Sequence, residues 1–487
     1  MNKRRFRFHS SNSCEQKISQ SLERIGNRKT TTRRRWLGAS LAGGFGLVAG
    51  GVFIRPSGAA AGYASPNERP GIAVVGFGGR GRALAKDAAR FGPVVAVADA
   101  DLGYAEQGRQ FFEGKSAVYQ DYRKILDRPD VDVVINATPD HWHTLINVAA
   151  CKAEKDVYTE KPLTLTIDEG KLLCRVVKQT GRVVQVGTQQ RSEAPFRLAC
   201  ELVRNGRVGK LHQVIVLLPF WTTKGGPFPG QPVPPELNWD LYQGQAPERP
   251  YHPMRTHFHF RWWFEYAGGI VTDWGQHHMD IAHWGMNVEH TGPREVEAQG
   301  YFPNHGQPDC FNNPDRFVAR LSYPGPIDLL FLVARDDKYL ASMAQGDITP
   351  QADAELFAGV PEEWKNEKRN GIMFIGDQGR VFVNRGGVFG KPVEALAEKP
   401  LPADAVRLEA SDDHMANFFD SVKSRGKPIS DVFVGHRTIT ACHLVNISMR
   451  LGRPIRWDPE QEKIIGDTEA ESWLSRPQRP PYQLDRI

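Results

Sequence analysis

Two stretches of the sequence carry residue types and spacings that could do chemistry. Gly76-Phe77-Gly78-Gly79-Arg80-Gly81 is a G-x-G-x-x-G run between a β-branched apolar segment and a helical pattern. Glycines there let the backbone turn tightly and approach a pyrophosphate, whose charge meets free N–H groups at a helix start. Asp99 stands 23 residues beyond the first glycine, near the spacing of an acid that bonds a ribose hydroxyl. The set predicts a dinucleotide site. Asp99 would repel a 2′-phosphate, which favours NAD; Arg80 in the loop softens that preference, so NADP stays open. In the other half, Asp273 and His277 are four residues apart, and on a helix they share one face and can converge on one atom. Asp273, His277, His278, Asp280 and His283 also form a possible metal set, but neither an H-E-x-x-H pattern nor cysteine support accompanies it, and no metal is expected.

These residues need elements to hold them. Segments 72–75, 94–98, 131–137, 157–159 and 183–186 are continuous apolar runs, as in parallel strands buried on both faces. Segments 82–91, 142–153 and 167–180 between them have helical spacing. The alternation predicts an α/β, doubly wound Rossmann domain over residues 70–190. Asn136-Ala137-Thr138-Pro139-Asp140-His141-Trp142-His143 and Thr159-Glu160-Lys161-Pro162 then fall at the carboxyl edge of the sheet, where ligands sit. Residues 219–256, dense in Pro, Gly and aromatics, read as a long ordered loop over a cleft. Strand-like runs at 296–302, 317–323, 329–333, 372–375 and 380–383 predict a second, α+β domain over 191–487 with an open, mostly antiparallel sheet, closed by helices near 414–424 and 435–451.

Two motifs make a resemblance specific. A Rossmann start followed by strand-Glu160-Lys161-Pro162 is similar to the Gfo/Idh/MocA oxidoreductases, which include glucose-fructose oxidoreductase and inositol 2-dehydrogenase. Gly268-Gly269-Ile270-Val271-Thr272-Asp273-Trp274-Gly275-Gln276-His277-His278-Met279-Asp280 resembles that family's G-G-x-x-x-D-x-G-x-H-x-x-D stretch. The resemblance covers nearly everything from Arg69 to the tail. It implies that Lys161 reaches the reacting hydroxyl and the nicotinamide. His277 would be the general base, and Asp273 would orient the substrate or the imidazole. It implies cofactor contacts from Gly76 to Gly81 with Phe77 and Arg80, from Asp99, Thr138, Pro139, His143 and Glu160, and substrate contacts from Gln189, Gln190, Arg191 and His278. For His257-Phe258-His259-Phe260-Arg261-Trp262-Trp263-Phe264 two readings stand side by side: a carbohydrate subsite with Trp263 stacking on sugar C–H faces, or a half-buried strand whose aromatics fill the core.

Composition restricts the partners. The chain has 487 residues, 40% hydrophobic and 24% charged, with a formal net charge of +6. Twelve of the basic residues and only two acids lie before residue 61, so the remainder carries 50 basic against 54 acidic residues, a net −4. The basic character belongs to the leader, and nucleic-acid binding loses its support. Thr32-Arg33-Arg34-Arg35-Trp36-Leu37 resembles a twin-arginine export motif; a glycine-rich uncharged stretch and Ala59-Ala60-Ala61 follow it. Residues 1–61 are therefore expected to be a signal addressed to the twin-arginine machinery, with 62–69 a linker and the periplasm the destination; an uncleaved anchor is the other reading. Six widely spaced cysteines suggest buried thiols and neither a zinc site nor a disulfide framework.

The expectation is an exported NAD(P)-dependent oxidoreductase acting on a sugar or polyol hydroxyl, a homo-oligomer (dimer or tetramer) as in relatives. Export implies a tightly held dinucleotide, since free NAD is scarce outside the cytoplasm. An NAD-dependent glycoside hydrolase working by transient oxidation is the alternative, although retention of Lys161 in Glu160-Lys161-Pro162 tilts towards net oxidoreduction. A sugar-binding protein without catalysis is a third reading.

Overall fold

The computed structural model describes residues 69–325, 327–333 and 370–486. The leader, its arginine pair and the cleavage site lie outside the described residues. Among those described, no helix is long and apolar enough to cross a membrane.

The first sheet is built from β1 (Ile72–Val75), β2 (Val94–Ala98), β3 (Ala117–Tyr119), β4 (Val133–Asn136), β5 (Asp156–Thr159) and β6 (Val184–Val186), in the order β3-β2-β1-β4-β5-β6. All its pairings are parallel. Strands buried on both faces need apolar side chains throughout, and IAVV of β1 and VVIN of β4 are buried at every position. Register then decides which residues meet. Val75 is level with Ala98 on one side and Asn136 on the other, Asn136 with Thr159, and Thr159 with Val186. The residues that follow each strand, Gly76, Asp99, Ala137 to Pro139, Glu160 and Lys161, therefore emerge along one edge. The chain order reverses between β1 and β4, which opens the crevice of a doubly wound sheet there.

The second sheet contains β7 (Leu211–Leu218), β8 (Glu295–Tyr301), β9 (Arg316–Tyr323), β10 (Ile327–Val333), β11 (Gly371–Gly376), β12 (Gly379–Asn384), β13 (Gly387–Phe389), β14 (Ile455–Asp458) and β15 (Lys463–Ile464). Its order is β13-β12-β11-β7-β10-β9-β8-β14-β15, antiparallel except for the β7–β10 pair. The five strand runs read from the sequence all appear. β3, β7, β13, β14 and β15 were not expected.

Two helices lie against this sheet, Ile270–Met286 and Val432–Leu451, and pack on each other. The first enters through Gly269, at φ 68, and leaves through the left-handed Asn287. It has no polar face: Asp273, Gln276, His277, His278, Asp280 and His283 are all buried along it. Buried polar groups are costly unless bonded, so each must find a partner fixed in the fold. Gln276 accepts from the Leu163 N–H (2.8 Å) and donates to the Gly435 carbonyl (3.2 Å), tying the helix to the turn after β5. Asp280 takes a two-pronged bond from Arg191 (2.7 and 2.9 Å), and His283 meets the Tyr323 hydroxyl (2.7 Å).

The segment 219–256 runs without regular elements to a short helix, Trp239–Gln243. It is fastened across the first sheet where the Leu102 N–H donates to the Glu236 carbonyl and the Asn238 N–H to the Ala100 carbonyl, both at 2.9 Å. His141 and Trp142 both bond the Tyr242 carbonyl, at 2.9 and 3.0 Å. An ordered loop over a cleft is what the structure contains.

Candidate active site

A cavity of about 640 Å³ lies along the carboxyl edge of the first sheet and is closed on its far side by the helix Ile270–Met286, the loop 219–256 and the turn between β12 and β13. One end is the glycine turn. Gly76 has φ +84, and a Cβ there would lie 2.8 Å from the Ala137 backbone; a Cβ on Gly81 would run into the Gly76 carbonyl oxygen. Both glycines are required by packing. At Gly78 and Gly79 a Cβ would meet nothing within 4 Å. Their bare backbone faces open cavity at the start of the helix Gly79–Ala88, which has no side-chain cap. Free N–H groups at an uncapped helix start beside empty space suit a phosphate.

Asp99 lines the same end. Its carboxylate accepts the Phe77 N–H (2.8 Å) and the Asp101 N–H (3.0 Å), which fixes its rotamer and leaves lone pairs for a hydroxyl. Burial pushes its pKa up to about 6. These features fit an adenosine ribose and pyrophosphate held by Asp99 and the glycine turn. Phe77 itself is fully buried and packs on Phe111 and Phe112; only its N–H serves the site.

At the other end the two halves of the chain meet. Lys161, just past β5, donates to Asp273 Oδ1 at 2.5 Å and to the Asp273 carbonyl at 3.2 Å. His277, one turn along the helix, lines the cavity beside them. Of the seven polar side chains buried on that helix it alone makes no side-chain hydrogen bond, and its Nδ1 is buried without a partner. Burial, with Lys161 and Arg385 nearby, holds its pKa well below the ordinary histidine value. That environment favours the neutral imidazole. Asp273 bonds Lys161 and makes no bond to the imidazole, so of the two expected roles for Asp273 the structure removes the orientation of His277. Its pKa is lowered although burial opposes this, because Lys161 and Arg261 favour the charged form.

Several expected contacts fall elsewhere. Arg191 is buried against Asp280 and Glu289 (2.7 and 2.8 Å) and stacks on Trp284. His278 is bonded to Asn370 at 3.1 Å. Trp263 is 1% exposed, has the Arg255 guanidinium 3.6 Å over its ring, and donates to the Met254 carbonyl. None of the three lines the cavity, so all are corrected to framework; Gln189 does line it. His143 does not line the cavity; its ring lies between the carbonyls of Thr138 (2.8 Å) and Pro162 (2.5 Å), and its one N–H can donate to either, beside the two loops that carry Pro139 and Lys161. Arg80 pairs with Glu160 (2.6 Å) and is engaged at the Lys161 end, away from the preference it was expected to soften.

The stretch 257–264 is a 3₁₀ helix, His257–Trp262, and no strand. It divides the two readings between its residues. Phe258, Phe260 and Arg261 face the cavity, while Trp262 and Trp263 fill core. Residues that pattern did not single out also line the cavity: Asp140, Trp221, Trp274 and Arg385. Asp140 is buried with its pKa pushed up to about 7, by loss of water and then by Asp273. Its place directly after Pro139 at the end of β4 was the one usable signal. Among the described residues no three His, Cys, Asp or Glu side chains gather as metal ligands, and the cysteines are free thiols.

Residues 71–188 match the Gfo/Idh/MocA profile described as an oxidoreductase family with an NAD-binding Rossmann fold, and residues 218–309 with 366–484 match that family's C-terminal α/β domain. Together they cover about two-thirds of the chain. The chain belongs to the Gfo/Idh/MocA oxidoreductase family. Within this family it is 37% identical over 119 residues to levoglucosan dehydrogenase of Pseudarthrobacter phenanthrenivorans, spanning 24% of this chain and 30% of that one. It is 26% identical over 254 residues to scyllo-inositol 2-dehydrogenase (NAD(+)) of Bacillus subtilis, spanning 52% and 63%. The chain thus spans less than two-thirds of the length of either relative. A levoglucosan dehydrogenase solved with NADH and levoglucosan superposes with a TM-score of 0.56 at 18% identity, over 80% of this chain and 99% of that one, a likeness of fold.

Proposed function

We propose that this Gfo/Idh/MocA protein is an NAD-dependent oxidoreductase that oxidises a secondary hydroxyl of a sugar or polyol. The observation that carries the reading is the meeting of Lys161, Asp273 and His277 at the end of a cavity whose other end is an uncapped glycine turn. The relatives named for levoglucosan and scyllo-inositol oxidation support it. NAD, when bound, supplies the two-electron acceptor.

The protein's part is positioning and proton transfer. Lys161 and Asp273 hold the substrate oxygen: the ammonium donates to it and steadies negative charge on it, and Asp273 keeps the ammonium aimed. His277 takes the hydroxyl proton. Its lowered pKa does not disqualify it, because an alcohol becoming a carbonyl is a strong acid and a weak neutral base suffices. Aromatic side chains, Trp221, Phe258 and Trp274, offer flat faces to C–H surfaces and exclude water.

The export reading of residues 1–61 belongs to the same proposal. It requires the folded protein to carry its dinucleotide with it. Purified full-length chain is denatured and the released small molecule weighed by mass spectrometry; a nicotinamide dinucleotide supports the reading. Reduction of NAD by inositols or aldoses, followed by absorbance, tests the reaction, and an aryl glycoside releasing aglycone without net NADH would replace it with a hydrolase. Fractionation of cells expressing the chain, with the Arg33-Arg34 pair changed to Lys-Lys as the control, tests export.

A further inference from the structure

The substrate end of the cavity carries charge that hydroxyl chemistry does not use. Four cations line it: Arg80, Lys161, Arg261 and Arg385. Two are matched one to one, Arg80 with Glu160 and Lys161 with Asp273. Arg261 is 3.7 Å from the Asp273 oxygen that Lys161 already holds, and lies over the rings of Phe258 and Phe260 at 4.9 and 4.7 Å. Arg385, in the turn between β12 and β13, makes no ion pair among the described residues. Its guanidinium stacks on Trp274 at 4.6 Å, and its Nε donates at 3.3 Å to the Gln190 amide oxygen once that amide is turned to satisfy the His277 carbonyl. Among the described residues its Nη nitrogens have no hydrogen-bond partner. Glu193 acts on Arg385 only through its field.

The carboxylates do not balance this. Asp99 belongs to the far end, and Asp140, with its pKa near 7, is partly protonated at neutral pH. A neutral sugar would leave the Arg385 guanidinium without a counter-charge, and Arg261, which donates to the Phe258 carbonyl at 3.0 Å, with only a share of the Asp273 carboxylate that Lys161 already holds. A planar fork matches a carboxylate or phosphate with two parallel hydrogen bonds.

We propose that the substrate of this site is an acidic sugar, whose carboxylate or phosphate docks on Arg385 and Arg261 while its hydroxyl lies between Lys161 and His277. This rests on the oxidoreductase reading and narrows its substrate class. It also gives the anion a part in the chemistry. Arg385 is one of the charges that depress His277, and an anion docked on Arg385 offsets that charge, so the correct substrate makes its own base stronger.

The test uses the full-length, NAD-loaded protein with D-glucuronate, D-glucose 6-phosphate, D-glucose and myo-inositol as probes. Binding is read from intrinsic tryptophan fluorescence, since Trp274 lies under Arg385, and turnover from NADH. The expected result is that one anionic probe binds about 10- to 100-fold more tightly than glucose and inositol, and that Arg385→Met and Arg385→Gln remove this advantage. Thermal melts and NAD binding at the wild-type level certify the variants as folded. Preference for glucuronate identifies the anion as a carboxylate, and preference for glucose 6-phosphate identifies it as a phosphate; either supports the proposal. Equal binding of charged and neutral probes, or an anion advantage that survives both substitutions, overturns it. If no probe yields NADH, the oxidoreductase reading fails, and the fluorescence titration still decides the anion site.

Discussion

Lys161 and Asp273, 112 residues apart in sequence, meet at 2.5 Å with side chains only 14% and 9% exposed. The ion pair joins the end of β5 in one sheet to the helix Ile270–Met286 beside the other, and it is the point at which two independently built halves become one site.

Lys161→Met should lower kcat by about 100- to 10,000-fold, since it removes the donor to the substrate oxygen, while NAD binding persists. It also leaves Asp273 buried with Arg261 as its remaining partner at 3.7 Å. Stripping one partner from a buried pair costs about 3–5 kcal/mol, and the residual arginine puts this case at the low end. Adding Asp273→Asn should restore the urea midpoint without restoring activity. A double variant no more stable than the single would show that the pair does not carry the energy.

His277→Ala should abolish turnover to a similar degree with little effect on the fold, because the ring makes no side-chain hydrogen bond to lose. Thermal melts within about 1 kcal/mol of wild type are expected. A variant that oxidises a responsive sugar at the normal rate would remove the imidazole from the mechanism.

Much of this geometry was legible in the sequence, and the boundary has a physical reason. The glycine turn, Asp99 and the strand-end lysine are local patterns whose positions follow from the alternation of short buried strands and helices. For Asp273 and His277 helical spacing supplied the shared face, and the resemblance to the family's motif supplied the roles. Trp263 takes the core reading of the two that pattern left open, and His278 and Arg191 turn away from the cavity because the direction of a side chain on a fully buried helix or turn is chosen by neighbours far away in sequence: Asn370 for His278, Asp280 and Glu289 for Arg191. β7 was missed although its core is apolar, because its partners β10 and β11 lie over a hundred residues on. Arg385 sits in a turn with no motif around it.

Arg191→Met should destabilise the fold by about 3–5 kcal/mol, by leaving Asp280 buried and Glu289 with Arg204 alone. Arg191→Lys should recover little of this, since a point charge cannot reproduce the two-pronged bond to Asp280. Chemical denaturation of the two variants checks both statements.

Asp99→Ser should narrow the preference for NAD over NADP by about tenfold or more, an effect of about 1.4 kcal/mol. The acid that repels a 2′-phosphate would be gone while the glycine turn is intact. Titration with both dinucleotides measures it. An unchanged ratio would separate Asp99 from ribose recognition.

Stability should fall steeply in mild acid. Burial lowers the pKa of His141 and His414 to about 4 and of His278, His283 and His443 to about 3, from an ordinary value of 6.5. The unfolded chain binds these protons first, so the contribution is full above pH 6.5 and is lost as pH falls towards 4 and 3, at up to about 1.4 kcal/mol per group per pH unit. Asp140 has the opposite sign. Its pKa is raised from 3.8 to about 7, so its contribution is full below 3.8 and is lost as pH rises through 7. Melting curves at several pH values should show the acid collapse, and Asp140→Asn should gain on wild type as pH rises to 8.

A helix whose buried polar groups, Thr272 and His277 excepted, are each bonded to a different part of the molecule cannot rotate or slide without breaking several of those bonds at once. Heredity must treat it as a single unit, because piecemeal alteration is punished everywhere along its length. The rim at Trp221, Phe258 and Arg385 rests on a loop, a 3₁₀ helix and a turn, and is held mainly by ring contacts. New substrates can therefore be explored at the rim by single substitutions, while the reaction itself is inherited intact.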